Sequence, residues 1–282
     1  MPMTQDDIRL HYESSWKTQA DSAQSSGELA YSCPVEDAVL YPIYERLLHD
    51  LQIKVTGGRV LDVGSGSGRW IRFLLGFVPQ HLAGVDFTQS AIDLLRKWCP
   101  SSPQTRMTFE RADITAPSLE LSEPGPYDLI NIANVLFHIP ESEKFISALC
   151  NLSQLLSPTG RIVTTEYLPR NSMRTRWMLV RSRYEFQEAV EAANLRIVDI
   201  RATSFFSNDP MGIDGPDSFG REEFRQVRAA QQMLLRSNST QKSLDFFRDL
   251  FIASERAALA YCAERIAPID MPSQKLVTLA RA

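Results

Sequence analysis

The sequence predicts an α/β protein built on a doubly wound, mainly parallel sheet. Three observations carry this prediction. Short apolar runs alternate with helical patterns from about residue 59 to residue 202. A glycine-rich turn joins the first of these runs to a helix, and an acidic residue ends the next run.

Residues 4–20 and 35–52 read as helices. In the second, Val39, Leu40, Ile43, Tyr44, Leu47, Leu48 and Leu51 recur at helical spacing and form one apolar face. Thr56-Gly57-Gly58 breaks the chain before a buried strand, Arg59–Val63. Gly64 to Gly68 is a loop, followed by a helix from Arg69 to Gly76. Leu82–Asp86 is the second strand and Ser90–Trp98 the second core helix. Met107–Asp113 and Tyr127–Ile132 are the third and fourth strands. A helix over Ser142–Leu156 closes at the turn Ser157-Pro158-Thr159-Gly160. Arg161–Leu168, a helix over Tyr184–Ala193 and a strand over Arg196–Ala202 complete the alternation.

The pattern then changes. Pro210, Gly212, Gly215, Pro216 and Gly220 mark a loop over 203–220, and 221–266 read as two helices before a last strand, Lys275–Ala280. The expected organisation is an N-terminal helical cap (1–54), a core (55–202), a helical insertion or lid (203–273) and a closing strand (274–282). A connection of about 70 residues is long enough to carry a role of its own.

With 282 residues and 44% hydrophobic content the chain can bury a sizeable core. A net charge of −4 and a pI near 5.7 argue against a phosphate-backbone partner, so no nucleic acid is expected. Cys33, Cys99, Cys150 and Cys262 include no CxxC pair, which signals neither a disulfide framework nor a metal site and suits reduced thiols in the cytoplasm. The N-terminus has early acids and no apolar signal region, and no run reaches the ~18 apolar residues of a membrane span.

The run Val60-Leu61-Asp62-Val63-Gly64-Ser65-Gly66-Ser67-Gly68 is the strongest signal. Glycines there let a ligand approach the backbone. The spacing is GxGxG. The dinucleotide fingerprint GxGxxG would put its third small residue at Arg69, a poor fit, so the pattern favours S-adenosylmethionine (SAM) over NAD. Asp86, 22 residues after Gly64, is placed to accept ribose hydroxyls. A tight turn without a ligand is the plain alternative.

The segments VLDVGSGSGRW, GVDFTQSAIDLLRK, ERADI and YDLINIANVLFHI together resemble the class I SAM-dependent methyltransferases over residues 55–202. The resemblance implies a Rossmann-like sheet whose last strand, Lys275–Ala280, runs antiparallel. It implies SAM as cofactor and S-adenosylhomocysteine as product. It places Asp62, Gly64, Ser65, Gly66 and Gly68 at the methionine moiety and Asp86 at the ribose. Phe87 falls beside the adenine, Asp113 and Ile114 at the adenine edge, and Asn131 and Asn134 on the strand end under the transferred methyl. Asp113 could instead cap a turn, Phe87 could be core, and Asp62 could simply fix the loop.

His138, just beyond the fourth strand, is the candidate base, with a structural role as the alternative. Glu166 and Tyr167 end the fifth strand and point to the same edge as candidate acceptor ligands. Tyr12, Trp16 and Tyr31 are candidates to cover the cofactor, or to pack. Arg170, Arg174, Arg176, Arg181 and Arg183 could hold an anionic acceptor group, though a solvated helix face is the plainer reading. In the insertion, Phe205, Phe206, Phe219, Phe224, Phe246, Phe247 and Phe251 could line an acceptor pocket or pack the insertion down.

The function expected is methyl transfer to a small-molecule acceptor, with a hydroxyl of a sugar or secondary metabolite preferred. The alternatives are N-methylation of a small amine or peptide terminus, SAM binding without transfer and, more weakly, an NAD-dependent oxidoreductase. An Asn/Asp-Pro-Pro-aromatic run of base methyltransferases is absent after the fourth strand. The sequence leaves the oligomeric state open, a homodimer included.

Overall fold

The computed structural model describes residues 4–22, 34–206, 221–236 and 240–282. Its centre is a seven-stranded sheet. The strands are β1 (Arg59–Val63), β2 (His81–Asp86), β3 (Arg106–Arg111), β4 (Tyr127–Ile132), β5 (Leu156–Glu166), β8 (Leu195–Ala202) and β9 (Lys275–Arg281), in the order β3-β2-β1-β4-β5-β9-β8. β1 to β5 pair in parallel, whereas β9 runs antiparallel between β5 and β8. The expected closing strand is thus an interior one. A separate hairpin is formed by β6 (Met173–Arg174) and β7 (Leu179–Val180).

Alternation along the strands splits the core in two. Leu61, Val63, Ile130, Ile132, Ile162 and Leu279 face α5 (Ser142–Leu155) and α6 (Arg183–Ala192). Val60, Leu82, Leu129, Val163 and Leu276 face α2 (Pro34–Asp50) and α3 (Arg69–Leu75), where Tyr44, Leu47, Trp70 and Leu74 meet them. β1, β2 and β4 are buried almost end to end, as parallel strands covered on both faces must be.

α1 (Gln5–Ser22) crosses the carboxyl edge of the sheet and is fastened at its first residue and at its middle. The Gln5 N–H donates to Glu141 Oε1 at 3.2 Å. Half-way along, the Glu13 carboxylate accepts from the N–H groups of Gln89 and Ser90, at 3.0 and 3.3 Å, in the first turn of α4 (Gln89–Trp98). Those amides have no partner within their own helix, so an acid there is stabilised. In the insertion, α7 (Arg221–Arg236) and α8 (Gln241–Ala263) follow the expected helices. α8 packs on α2, with Arg256 donating to the Ala38 carbonyl at 3.0 Å.

Three expectations are corrected. Ser157–Gly160 belongs to β5, which starts at Leu156 and takes up the extra residues as a bulge opposite Tyr127 and Leu129. The arginine-rich stretch is the β6–β7 hairpin and not a helix face. It feeds α6 through a capping box in which Ser182 and Glu185 satisfy each other's amides. β3 stops at Arg111, because Ala112 leaves the ladder after donating to the Asp86 carbonyl at 2.9 Å. The expected loop over 203–220 lies outside the described residues from 207 onward, as do Tyr31, Cys33 and Phe219.

Candidate active site

A cavity of about 730 Å³ opens at the carboxyl ends of β1, β2 and β4. Gly64, Ser65 and Gly66 form one wall, with Asp86, Phe87, Asp113 and Ile114 beyond them. A side chain on the glycine loop would close it. A Cβ on Gly64 would stand 2.2 Å from Val135 Cγ2, and one on Gly66 would stand 2.8 Å from the Trp16 ring. Both residues also have positive φ, +69° and +49°, where a Cβ is strained.

Asp86 is buried and accepts three hydrogen bonds. Gly66 N–H donates to Oδ2 at 3.1 Å, and Thr88 donates to Oδ1 from its N–H at 2.9 Å and its hydroxyl at 2.8 Å. A carboxylate has roughly four lone-pair sites, so about one remains, on Oδ2. Burial raises this carboxyl above its usual range while the three donors pull it back. Asp113 accepts from the N–H and hydroxyl of Thr115, at 2.9 and 2.7 Å, so its turn-capping role is present alongside its place in the cavity wall.

Four expected residues stand behind the wall. Asp62 and Asn131 are fully buried in a relay: Tyr44 donates to Asn131 Oδ1 at 2.9 Å, and Asn131 Nδ2 donates to Asp62 Oδ1 at 2.7 Å. Asp62 Oδ2 has no hydrogen-bond partner, and burial pushes its carboxyl up to about 7. Gly68, at φ +83°, starts α3, and Leu95 fills the space its Cβ would need. Glu166 is buried, takes the Thr164 hydroxyl at 3.1 Å and is raised by burial to about 8. Only its neighbour Tyr167 lines the cavity. Adjacent strand residues point to opposite faces, so the two could not both reach it.

The far side of the cavity is made of side chains. Tyr12 and His11 of α1, Trp177 and Met178 of the hairpin, Phe137, His138, Asn134 and Tyr167 meet there. Asn134 ends β4 in the left-handed region, φ +60°, and its N–H donates to Thr165 Oγ1 at 2.7 Å. His138 Nδ1 lies 3.1 Å from the Trp177 carbonyl and Nε2 lies 3.0 Å from the Tyr12 hydroxyl. A carbonyl can only accept, so Nδ1 carries the proton and Tyr12 donates to Nε2. Burial pushes this imidazole down to about 4. Trp16 packs with Ala91 and Leu94 over the glycine loop, while the rings of His11 and Trp177 lie 4.0 Å apart.

None of the five arginines lines the cavity. Arg181 donates to the Ile139 carbonyl at 2.9 Å and lies over Phe145, Arg183 pairs with Asp270 at 2.8 Å, and Arg176 lies over Trp177. Phe205, Phe206, Phe246, Phe247 and Phe251 do not line it either. Phe205 and Phe206 instead give their N–H groups, each at 2.6 Å, to the buried Glu255 carboxylate of α8. His11, Trp177 and Met178 carried no readable signal, because only the fold joins α1 to a hairpin some 165 positions later. Arg69, a poor fit to a dinucleotide loop, lines the cavity and pairs with Asp37 and Glu36 of α2. Among the described residues, no group of three or more His, Cys, Asp or Glu could hold a metal ion, and no helix is long and apolar enough to cross a membrane.

The methyltransferase-domain family model matches residues 60–160, which contain the glycine loop, Asp86, Asp113 and His138. This stretch is a methyltransferase domain. Among curated proteins, the chain is 27% identical over 99 residues to a ubiquinone biosynthesis O-methyltransferase of Paraburkholderia xenovorans, covering 35% of this chain and 41% of that one. It is 24% identical over 212 residues to the protein of the same name from Paraburkholderia phytofirmans, covering 65% and 87%. The chain thus spans about two fifths of the length of the first of these relatives. Among solved structures, a SAM-dependent methyltransferase from Leishmania major superposes with TM-score 0.52 at 20% identity, covering 68% of this chain and 75% of that one. Magnesium protoporphyrin IX methyltransferase from Synechocystis PCC 6803, with bound SAM, gives 0.51 at 15% identity, covering 71% and 90%. Both likenesses bear on the fold. The cofactor of the family fits the residues present: the side-chain-free cradle at Gly64 and Gly66 adjoins a buried carboxylate with an accepting site left over.

Proposed function

We propose that this chain transfers a methyl group from SAM to a hydroxyl of a small-molecule acceptor. The observation that carries the reading is the two-sided cavity. Its charged, backbone-rich side adjoins Gly64–Gly66, Asp86 and Asp113, and its aromatic side adjoins Tyr12, His138 and Tyr167. A volume of about 730 Å³ suits two small molecules held together.

SAM, when bound, supplies an activated methyl on a sulfonium, so the protein's task is alignment and exclusion of water. Asp86 Oδ2 takes a ribose hydroxyl, Phe87 and Ile114 flank the adenine, and Asp113 meets its edge. The Asp62–Asn131–Tyr44 relay holds the loop without touching the ligand. α1, fastened at Gln5 and Glu13, covers the cofactor through Trp16. The names of the curated relatives support oxygen as the acceptor atom. The described residues of the insertion pack on α2 and do not line the cavity.

The test is methyl-labelled SAM incubated with the protein and a panel of phenols, sugars and amines, with SAM binding measured separately by calorimetry. Transfer to a hydroxyl supports the reading. Transfer only to amines replaces it with N-methylation, and tight SAM binding without turnover on any acceptor leaves a silent binder.

A further inference from the structure

The aromatic side of the cavity contains a path for a proton. We propose that Tyr12 is the residue that binds the acceptor hydroxyl and relays its proton to His138, and that the acceptor is a flat, uncharged molecule with a phenol- or enol-like hydroxyl. This rests on the methyl transfer proposed above.

Three features lead to it. First, the direction of the pair is fixed. Trp177 holds the proton on Nδ1, so Nε2 accepts from the Tyr12 phenol; both rings line the cavity, and the one lone pair of the imidazole is taken by Tyr12. Second, among the described residues this side offers no other base of the usual kind. Of the carboxylates lining the cavity, Asp86 and Asp113 belong to its cofactor side and Glu36 is paired with Arg69 at 3.5 Å, while Glu166 lies behind the wall. Third, the described residues around the dyad, Trp177, Met178, Phe137, Tyr167 and His11, whose ring lies against Trp177, carry no carboxylate, lysine or arginine, and the Arg69 and Glu36 that also line the cavity are paired with each other. A phosphate, carboxylate or ammonium on the acceptor would be buried there without a counter-ion, at large cost, whereas a planar ring stacks well on Trp177, Phe137 and Tyr167.

The step balances with these groups alone. As the acceptor oxygen gains the methyl group, the C–S electron pair stays with the donor's sulfur and the acceptor O–H breaks. Its proton moves to Tyr12 Oη, the phenolic proton moves to His138 Nε2, and the imidazolium later gives its proton to water. Behind that imidazolium stands a neutral carbonyl and not a carboxylate, with His11 nearby. The dyad is therefore a weak base, matched to a hydroxyl that is itself acidic, near the phenol value of about 10, and mismatched to an aliphatic alcohol.

The test uses 4-nitrocatechol at about pH 5.5, where its hydroxyls are still protonated and His138 is still neutral, with absorbance reporting its protonation state and with cyclohexanol and glucose as aliphatic controls. With S-adenosylhomocysteine present, Tyr12→Phe should weaken 4-nitrocatechol binding about tenfold, as loss of one hydrogen bond does, and leave SAM affinity within about twofold. In turnover, Tyr12→Phe should lower kcat about 100-fold. His138→Gln keeps an acceptor for the Tyr12 phenol but no site for its proton, so it should keep 4-nitrocatechol binding and lose kcat to a similar extent. In 15N NMR, the His138 Nε2 resonance should move toward that of a free lone pair in Tyr12→Phe. Wild-type rates in Tyr12→Phe, equal loss of SAM and 4-nitrocatechol binding, or aliphatic controls methylated as fast as the phenol would overturn the inference while leaving methyl transfer intact. Absence of turnover by the wild type on every acceptor would remove both.

Discussion

The two sides of the cavity are built on different principles. The cofactor side comes from contiguous segments of β1, β2 and the loops that follow them, and much of its surface is backbone. The acceptor side is assembled from α1, the end of β4, the end of β5 and a hairpin, and nearly all of it is side chain. The first is a property of one strand–loop–helix unit. The second exists only once four distant pieces have docked, so its chemistry can change while the fold does not.

The largest effect tests whether the acceptor side truly lacks a rim carboxylate. Glu166 has a folded value near 8 against an ordinary 4.5. Between those pH values the folded chain keeps a proton that the unfolded chain has released, so stability falls as pH rises through that window. The wild type should lose a few kcal/mol of unfolding free energy over this window relative to Glu166→Gln, at about 1.4 kcal/mol for each pH unit crossed. Denaturant melts from pH 4.5 to pH 8 measure this, and parallel curves would return Glu166 to solvent and to the candidate ligands. Lys275, pushed down to about 7 by burial, acts oppositely above pH 7, which is why the difference between variant and wild type is the informative quantity.

Next comes the cofactor side. Asp86→Ala removes the acceptor of three internal bonds as well as the proposed ribose ligand, and SAM affinity should fall at least about tenfold by calorimetry. Unchanged affinity would break the ribose assignment. Gly66→Ala puts a methyl group against Trp16 at strained φ, and its SAM affinity should fall by up to about tenfold, from roughly 1 kcal/mol of strain. Part of that loss should return in Trp16→Ala, if the ring is the obstacle. The smallest effect is a null one: Phe246→Ala with Phe251→Ala should leave the KM for any acceptor unchanged, because neither lines the cavity. A raised KM would restore the insertion as an acceptor lid.

The same contrast explains what could be read from the chain. The doubly wound, mainly parallel sheet followed from alternation, and the glycine loop followed from a constraint that only glycine meets. Of the expected site residues, Gly64, Ser65, Gly66, Asp86, Phe87, Asp113, Ile114, Asn134, His138 and Tyr167 line the cavity. Glu166 was misplaced because the end of a strand is known from sequence more closely than its phase, and one residue decides the face. The hairpin was missed because each of its strands has two residues, too few for periodicity to register. His11 and Trp177 were invisible for a different reason, since aromatic side chains gain meaning as a wall only beside their neighbours.

β9 has a consequence in time rather than in space. It is translated after the whole insertion, yet it fills the slot between β5 and β8. Until it emerges, β8 has no neighbour in the sheet and β5 lacks one of its two partners, so a nascent chain must carry two open strand edges through more than seventy residues of synthesis. Unpaired edges invite pairing with other chains. A ribosome stall within α8 should therefore release a product more prone to aggregate than one stalled before β8 is made.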